Sequence, residues 1–161
     1  MIVKHGLEAI YDQNSKVLIL GSIPSVKSRE LGFYYAHPQN RFWKVMENIF
    51  EIKLSTIEDK INFLHDYHIA LYDVIEQCEI VGSSDASIKN VVPSDLMQII
   101  LNSQIATIYT TGKKAYDLYQ KYQYLKTNIK AIQLPSTSPA NAKIKTEELV
   151  CLYSEIKKNC L

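Results

Sequence analysis

Short apolar runs of strand length alternate along this chain with amphipathic stretches of helix length, and no other feature constrains the fold as much. Residues 17–20 form an apolar run that ends at Gly21 and read as a buried strand. Phe42, Val45, Met46, Ile49 and Phe50 then recur at helical spacing, and Ile57, Ile61 and Leu64 mark one face of a second helix. Residues 69–75 read as another strand, after which Gly82, Ser83, Ser84 and Asp85 break the pattern. Ser94 is the expected N-cap of a helix carrying Leu96, Met97, Ile99, Ile100 and Leu101. Residues 105–111 are β-rich and end at Gly112, and Ala115, Leu118, Tyr119 and Tyr122 follow at helical spacing. A last strand spans 129–134, and Leu149, Leu152, Tyr153 and Ile156 are expected to face inward from a final helix. Alternation of this kind predicts an α/β fold: a three-layer αβα sandwich around a mostly parallel, four-stranded sheet. With no internal repeat, linker or low-complexity tract, one domain over residues 1–161 is expected.

Composition excludes more than it suggests. Net charge is +1 and the isoelectric point is near 7.7, so the chain lacks the basic surplus of a dedicated duplex binder, and its lysines must act locally. Cys78, Cys151 and Cys160 are scattered without a Cys-x-x-Cys pair, which excludes the usual zinc and iron–sulfur frameworks. His65 and His68 have no third ligand in view and read as a surface pair. No metal and no cofactor is therefore expected. No apolar run spans a bilayer, and the start lacks the apolar stretch of a signal peptide, so a cytoplasmic protein without membrane association is expected.

In an open α/β sheet, ligands bind beyond the carboxyl ends of the strands. The unusual residues of this chain follow those ends: the 21–40 segment, the 82–85 cluster, Gly112-Lys113-Lys114, and residues 135–141. Turns of any protein collect Gly, Pro and Ser. The 21–40 segment differs, because it runs about twenty residues without clear periodicity, a length that in a compact domain marks a working or disordered loop. Phe33, Tyr34, Tyr35 and Pro38 argue against disorder.

Four separated motifs carry a resemblance: Gly21-Ser22-Ile23-Pro24-Ser25, His37-Pro38-Gln39-Asn40-Arg41-Phe42-Trp43, Gly82-Ser83-Ser84-Asp85, and Leu134-Pro135-Ser136-Thr137-Ser138-Pro139-Ala140-Asn141. In this order, and over almost the whole chain, they resemble the uracil-DNA glycosylase superfamily, and specifically its hypoxanthine-DNA glycosylase branch. The run ending in Trp43 is also similar to one in mismatch-specific uracil glycosylases. The resemblance implies a four-stranded parallel sheet between helices and removal of a deaminated base, hypoxanthine by preference, from DNA. It departs from the uracil branch at two catalytic places. The Asp of the first motif is Ile23 here, and the His that opens the last motif is Leu134. In the mismatch-specific branch the key Asn stands where Ile23 sits. The hypoxanthine branch places its catalytic Asn in the His-Pro-x-Asn run, which puts that role on Asn40.

The reaction that the resemblance implies begins with a nucleotide extruded from the stack. Tyr35 is the expected wall of its pocket, against the alternative of a core or surface aromatic; a flat ring stacks on any base. Gly21, Ser22, Ile23, Pro24, Ser25, His37, Ser84 and Asp85 complete the expected pocket, His37 either donating into it or fixing its own turn. Asp85 stands between a peripheral site role and a turn, while Asp73 reads as structural. An amide is too weak a base to deprotonate water, so Asn40 is expected to orient a water through its carbonyl oxygen while its amide group meets the base. By position alone it reads first as an N-cap for the helix that follows, a role that can coexist with the one the resemblance implies. Backbone N–H groups near Gly21 and Ser22 are the expected donors to the departing base.

Ser136, Thr137, Ser138, Pro139, Ala140, Asn141 and Lys143 are expected to lie along the DNA backbone, with Lys145, Lys89, Lys113 and Lys114 as possible helpers. The expected partner is DNA containing a deaminated base, bound by a monomer. Competing readings are a mismatch-specific uracil or thymine glycosylase, a damage-binding module without catalysis, and an unrelated nucleotide-binding α/β protein. The last is weakened by the absence of both the P-loop and the dinucleotide fingerprint.

Overall fold

A computed structural model describes residues 1–81 and 85–161. In chain order the strands and helices are β1 (Ile2–Lys4), β2 (Val17–Gly21), α1 (Val26–Leu31), α2 (Phe42–Phe50), α3 (Ile57–Asp66), β3 (Ile69–Asp73), β4 (Ile75–Glu79) and β5 (Lys89–Pro93). They continue with α4 (Leu96–Leu101), β6 (Thr107–Thr111), α5 (Lys113–Tyr122), α6 (Tyr124–Thr127), β7 (Ala131–Leu134), α7 (Thr146–Tyr153) and α8 (Glu155–Cys160). Four strands form an all-parallel sheet in the order β3-β2-β6-β7. The sheet has helices on both faces, as the alternation predicts.

Strand β2 shows why. All five of its residues are buried, and its side chains divide between two cores: Val17 and Ile19 pack on one face, Leu18 and Leu20 on the other. A strand covered on both sides has no use for a polar alternate position, which is why it reads as an unbroken apolar run. Helices α2, α3, α7 and α8 bury Phe42, Met46, Leu64, Leu149, Tyr153 and Ile156 against the first face. The second face receives Leu96 and Ile99 of α4 and Leu118 and Tyr119 of α5. Truncating a fully buried leucine such as Leu18 to alanine is expected to cost about 2–5 kcal/mol.

Several local expectations change. Residues 69–75 are not one strand: the chain turns at Val74, whose N–H bonds Gly21 O (2.8 Å), and continues as β4 in a second, antiparallel sheet ordered β1-β4-β5. The 21–40 segment holds the short helix α1, capped by Ser25, whose hydroxyl accepts from Ser28 N (3.1 Å). Asp95, not Ser94, caps α4, because its carboxylate reaches Gln98 N while Ser94 is buried behind it. The final helical stretch is two helices, and Leu152 is exposed rather than inward-facing. His68 lies past the end of α3, so it shares no helix with His65, which bonds Asp12 instead (2.8 Å).

Among the described residues, no helix is long and apolar enough to cross a membrane, and no cluster of His, Cys, Asp and Glu is arranged to hold a metal ion. The three cysteines are unpaired.

Candidate active site

The carboxyl ends of the four parallel strands stand side by side in register: Asp73 of β3 opposite Gly21 of β2, Leu20 opposite Thr110 of β6, and Thr111 opposite Leu134 of β7. Above that row lies a cleft of about 1000 Å³. Gly21, Tyr35, Asn40, Asp73, Thr111 and Thr137 are among the residues that line it. So do Ser22, Ile23, Pro24, Ser25 and His37 of the expected pocket, and Ser136, Ser138, Pro139, Ala140 and Asn141 of the expected DNA loop. Lys143 does not line the cleft; it is exposed beyond the loop's 3-10 turn, which spans Pro139–Asn141. Ser84 and the side chain of Asp85 lie outside the described residues, with the Asp85 backbone opening another 3-10 turn.

Tyr35 has a positive φ of 52°. A bulky side chain in that region costs on the order of 1–3 kcal/mol, so its surroundings must hold it there. Ser28 Oγ accepts the N–H of Ala36 (3.2 Å), which ties the turn back to α1. Phe42 stacks on the Tyr35 ring, with centroids 4.0 Å apart and planes 15° apart. The phenol oxygen lies 3.5 Å from Thr111 Oγ1. One face of the ring is thus covered by Phe42, and the residue borders the cleft. Burial, aided by the nearby Asp73 carboxylate, pushes the Tyr35 phenol well above its ordinary range, so it stays a neutral donor.

Asn40 departs from expectation in an instructive way. Its Oδ1 accepts two hydrogen bonds, from the N–H of Phe42 (2.9 Å) and from the hydroxyl of Thr137 (2.8 Å). The first satisfies the N–H that opens α2, with Asn40 one residue before the helix's N-cap, Arg41; the second joins Asn40 to the loop after β7. Because the Phe42 N–H can only donate, the amide orientation is determined. Both lone pairs of the oxygen are used, so the carbonyl is not available to orient a water. The group left for the cleft is Nδ2, a donor without a partner among the described residues.

Arg41 strengthens the same link. Its guanidinium donates to Ile144 O (2.7 Å), Asn141 O (3.0 Å) and Thr146 Oγ1 (3.4 Å), while its backbone N–H reaches Thr137 O (3.1 Å). Asn141 closes the loop on itself by donating to Ser136 O (3.0 Å). Gly112 opens α5 with φ 97°, and a Cβ there would stand 3.2 Å from the Ser136 side chain. His37 accepts from Gln39 N (3.0 Å), so it braces its own turn while lining the cleft. Lys113 also lines the cleft but is ion-paired with Asp117 (2.7 Å), whereas Lys89 is exposed on β5. Neither Arg41 nor Asp73 was marked by spacing alone. Arg41 stands inside the 37–43 motif, which pointed to Asn40 and not to it, while Asp73, expected to be structural, ends an apolar strand opposite a glycine and lines the cleft.

A parallel sheet covered on both faces, with a cleft bordered by Tyr35 at its carboxyl edge, is the arrangement of an α/β enzyme whose ligand sits beyond the strand ends. The chain belongs to the uracil DNA glycosylase superfamily, whose family model matches residues 9–155. Hypoxanthine DNA glycosylase of Methanosarcina acetivorans is 30% identical over 147 residues, covering 88% of this chain and 90% of the relative. Hypoxanthine DNA glycosylase of Methanosarcina barkeri is 34% identical over 89 residues, 54% of this chain and 56% of the relative. A solution NMR structure from Methanosarcina acetivorans, of a protein provisionally assigned as a uracil DNA glycosylase, superposes with a TM-score of 0.80. It is 28% identical and covers 98% of this chain and 99% of its own.

Proposed function

We propose that this protein is a DNA glycosylase of base-excision repair that hydrolyses the N-glycosidic bond of a flipped, deaminated base, with hypoxanthine as its preferred substrate. It acts as a monomer in the cytoplasm, without metal or cofactor. The observation that carries the reading is the Asn40 amide, fixed by Phe42 and Thr137 so that Nδ2 is left for a cleft walled by Tyr35.

The extruded base stacks on the Tyr35 face opposite Phe42, a contact worth about 1–3 kcal/mol. The bond between C1′ and the base nitrogen breaks, its electron pair leaves with the base, and the sugar takes on oxocarbenium character. Asn40 Nδ2, as a donor, stabilises the negative charge growing on the base or holds the water's oxygen toward C1′. Water then bonds C1′, losing one proton as the departing base gains one. Ile23 and Leu134 supply neither an acidic nor an imidazole group, so pre-positioned donors carry most of the acceleration.

The test is a cleavage panel with duplexes carrying deoxyinosine, uracil or a G·T mismatch, with Asn40→Ala as control. Release of hypoxanthine by the wild type, reduced about 100-fold or more in the variant, supports the reading. A second reading, uracil as the main substrate, is favoured by the structural relative's assignment and by the 37–43 run. Robust uracil release with intact deoxyinosine would establish it. Lesion binding without any strand break after alkali would make the protein a damage-binding module.

A further inference from the structure

Part of the cleft's lining lies beyond the base pocket, on the β3 side of the strand row and away from β7, and no step above uses it. One wall of this arm is α1, from which Ser25, Val26 and Arg29 border the cleft. Residues three and four apart share a helix face, so these three present one surface. The other wall is the second sheet, through Val3 of β1 and Ile80 just past β4. Val3 stands opposite Cys78 there, and Ile80 N–H bonds Met1 O (3.0 Å).

Arg29 brings a charge into the arm. It is partly buried, and its Nε is shielded from solvent without a hydrogen-bond partner among the described residues. No described carboxylate pairs with its guanidinium. Its neighbour Lys27 also lines the cleft, but it is exposed and turned to Glu30 (4.0 Å). The Arg29 charge is felt by the buried Cys78 thiol, whose hold on its proton burial strengthens and Arg29 weakens, so the guanidinium lies near β4. A cation drawn partly out of water without a counter-charge is costly to a fold, and an anion from outside would complete it.

The donor says which anion fits. A guanidinium is always charged, and its fork of N–H groups matches two oxygens of one phosphate. The substrate proposed above carries phosphates on both sides of the extruded nucleotide. The 136–141 loop stands at the β7 side of the base, and α1, tied to the Tyr35 turn by Ser28 Oγ and Ala36 N–H, stands at the other. We propose that Arg29 holds a backbone phosphate of the lesion-bearing strand on the α1 side of the cleft, across from the 136–141 loop. The strand is then gripped on both flanks of the base that rests on Tyr35. The inference rests on the proposed function for its ligand, DNA. A phosphate contact positions a strand without reading its sequence, so the anchor serves any lesion that the pocket accepts.

The experiment measures equilibrium binding of the intact protein to duplexes carrying a non-cleavable deoxyinosine analogue, with each phosphate near the lesion replaced in turn by an uncharged methylphosphonate. Neutralising the phosphate that Arg29 holds is expected to weaken wild-type binding about tenfold. Arg29→Ala is expected to bind the unmodified duplex about tenfold more weakly and to lose nothing further at that one phosphate, while its response to the other replacements stays that of the wild type. Its slope of log affinity against log salt should shrink by about 0.9, the share of one phosphate contact, and Arg29→Lys, which keeps the charge, should restore the slope. A purely structural Arg29 would leave both the salt slope and the response to every replacement unchanged, which overturns the assignment. Where Arg29→Ala fails to fold, Arg29→Gln, nearer in size, is read the same way, and wild-type indifference to every methylphosphonate overturns the assignment without any variant. Hypoxanthine release from deoxyinosine duplexes by the wild type is followed alongside. Coupling of Arg29 to one phosphate without release upholds the anchor and removes the proposed reaction; release without coupling upholds the reaction and removes the anchor.

Discussion

Thr137 and Asn40, 97 positions apart, share a 2.8 Å hydrogen bond that joins the segment before α2 to the loop after β7. Together with the bond from the Phe42 N–H, it leaves Nδ2 as the end of the Asn40 amide turned toward the cleft. Thr137→Val keeps the shape and removes the donor, freeing one lone pair on Oδ1. We expect a loss of about 1 kcal/mol in stability and about a 10-fold fall in single-turnover base release, with Thr137→Ser close to wild type. Equal rates for all three proteins would detach Thr137 from the chemistry.

Tyr35 is predicted to act through its ring rather than its hydroxyl. Tyr35→Phe gives up only a 3.5 Å contact with Thr111, so base release should stay within about threefold of wild type. Tyr35→Ala removes the surface on which the base stacks, and capture of the lesion should weaken by about 1–3 kcal/mol. Titration with a non-cleavable lesion analogue measures the difference.

Arg41→Ala leaves Ile144 O and Asn141 O without their charged donor. We expect a loss of about 2–3 kcal/mol, seen as a midpoint lowered by roughly 4–12 °C in thermal unfolding. Protease cleavage inside residues 136–146 should accelerate more than cleavage elsewhere. Arg41→Lys, a point charge that cannot serve both carbonyls in one plane, should recover less than half of the loss.

Burial raises the Tyr35 phenol above its ordinary value of 10.0. A folded-state value above the unfolded one means that the neutral phenol's contribution is fully present below the unfolded value. It is lost as pH rises from there through the folded one. Base release should therefore show no decline from Tyr35 ionisation below pH 10, and Tyr35→Phe should leave the alkaline side of the profile unchanged up to that point. An alkaline limb near neutrality that vanishes in Tyr35→Phe would show that the ring is not buried as described.

The parallel sheet was legible because strands covered on both faces, such as residues 17–20, show as unbroken apolar runs followed by glycine or a polar loop. β1 and β5 were not, since their few residues are mostly exposed or half-buried and draw their pairing from β4. Much of the cleft's lining could be read from the motifs that follow β2 and β7, whereas Asp73 and Thr111, which lie within strands, could not. Nor could its wiring. The Asn40–Thr137 and His5–Asp73 bonds link residues 97 and 68 positions apart, and no local pattern reports which lone pair of an amide is already taken. Asn40 Oδ1 meets the first N–H of α2, as a capping side chain does, and the pocket role proposed for the residue falls to the other end of the same amide.

The grip of Arg41 on residues 141–146 ties the segment before α2 to the loop after β7 along one side of the cleft. On the proposed function, a lesion would meet that side already held in place, and the work of extraction would fall on the duplex. Sites where pairing is already poor should surrender their base soonest. Discrimination among neighbouring sequences would follow from the ease with which each helix opens, before any atom of the base has been inspected.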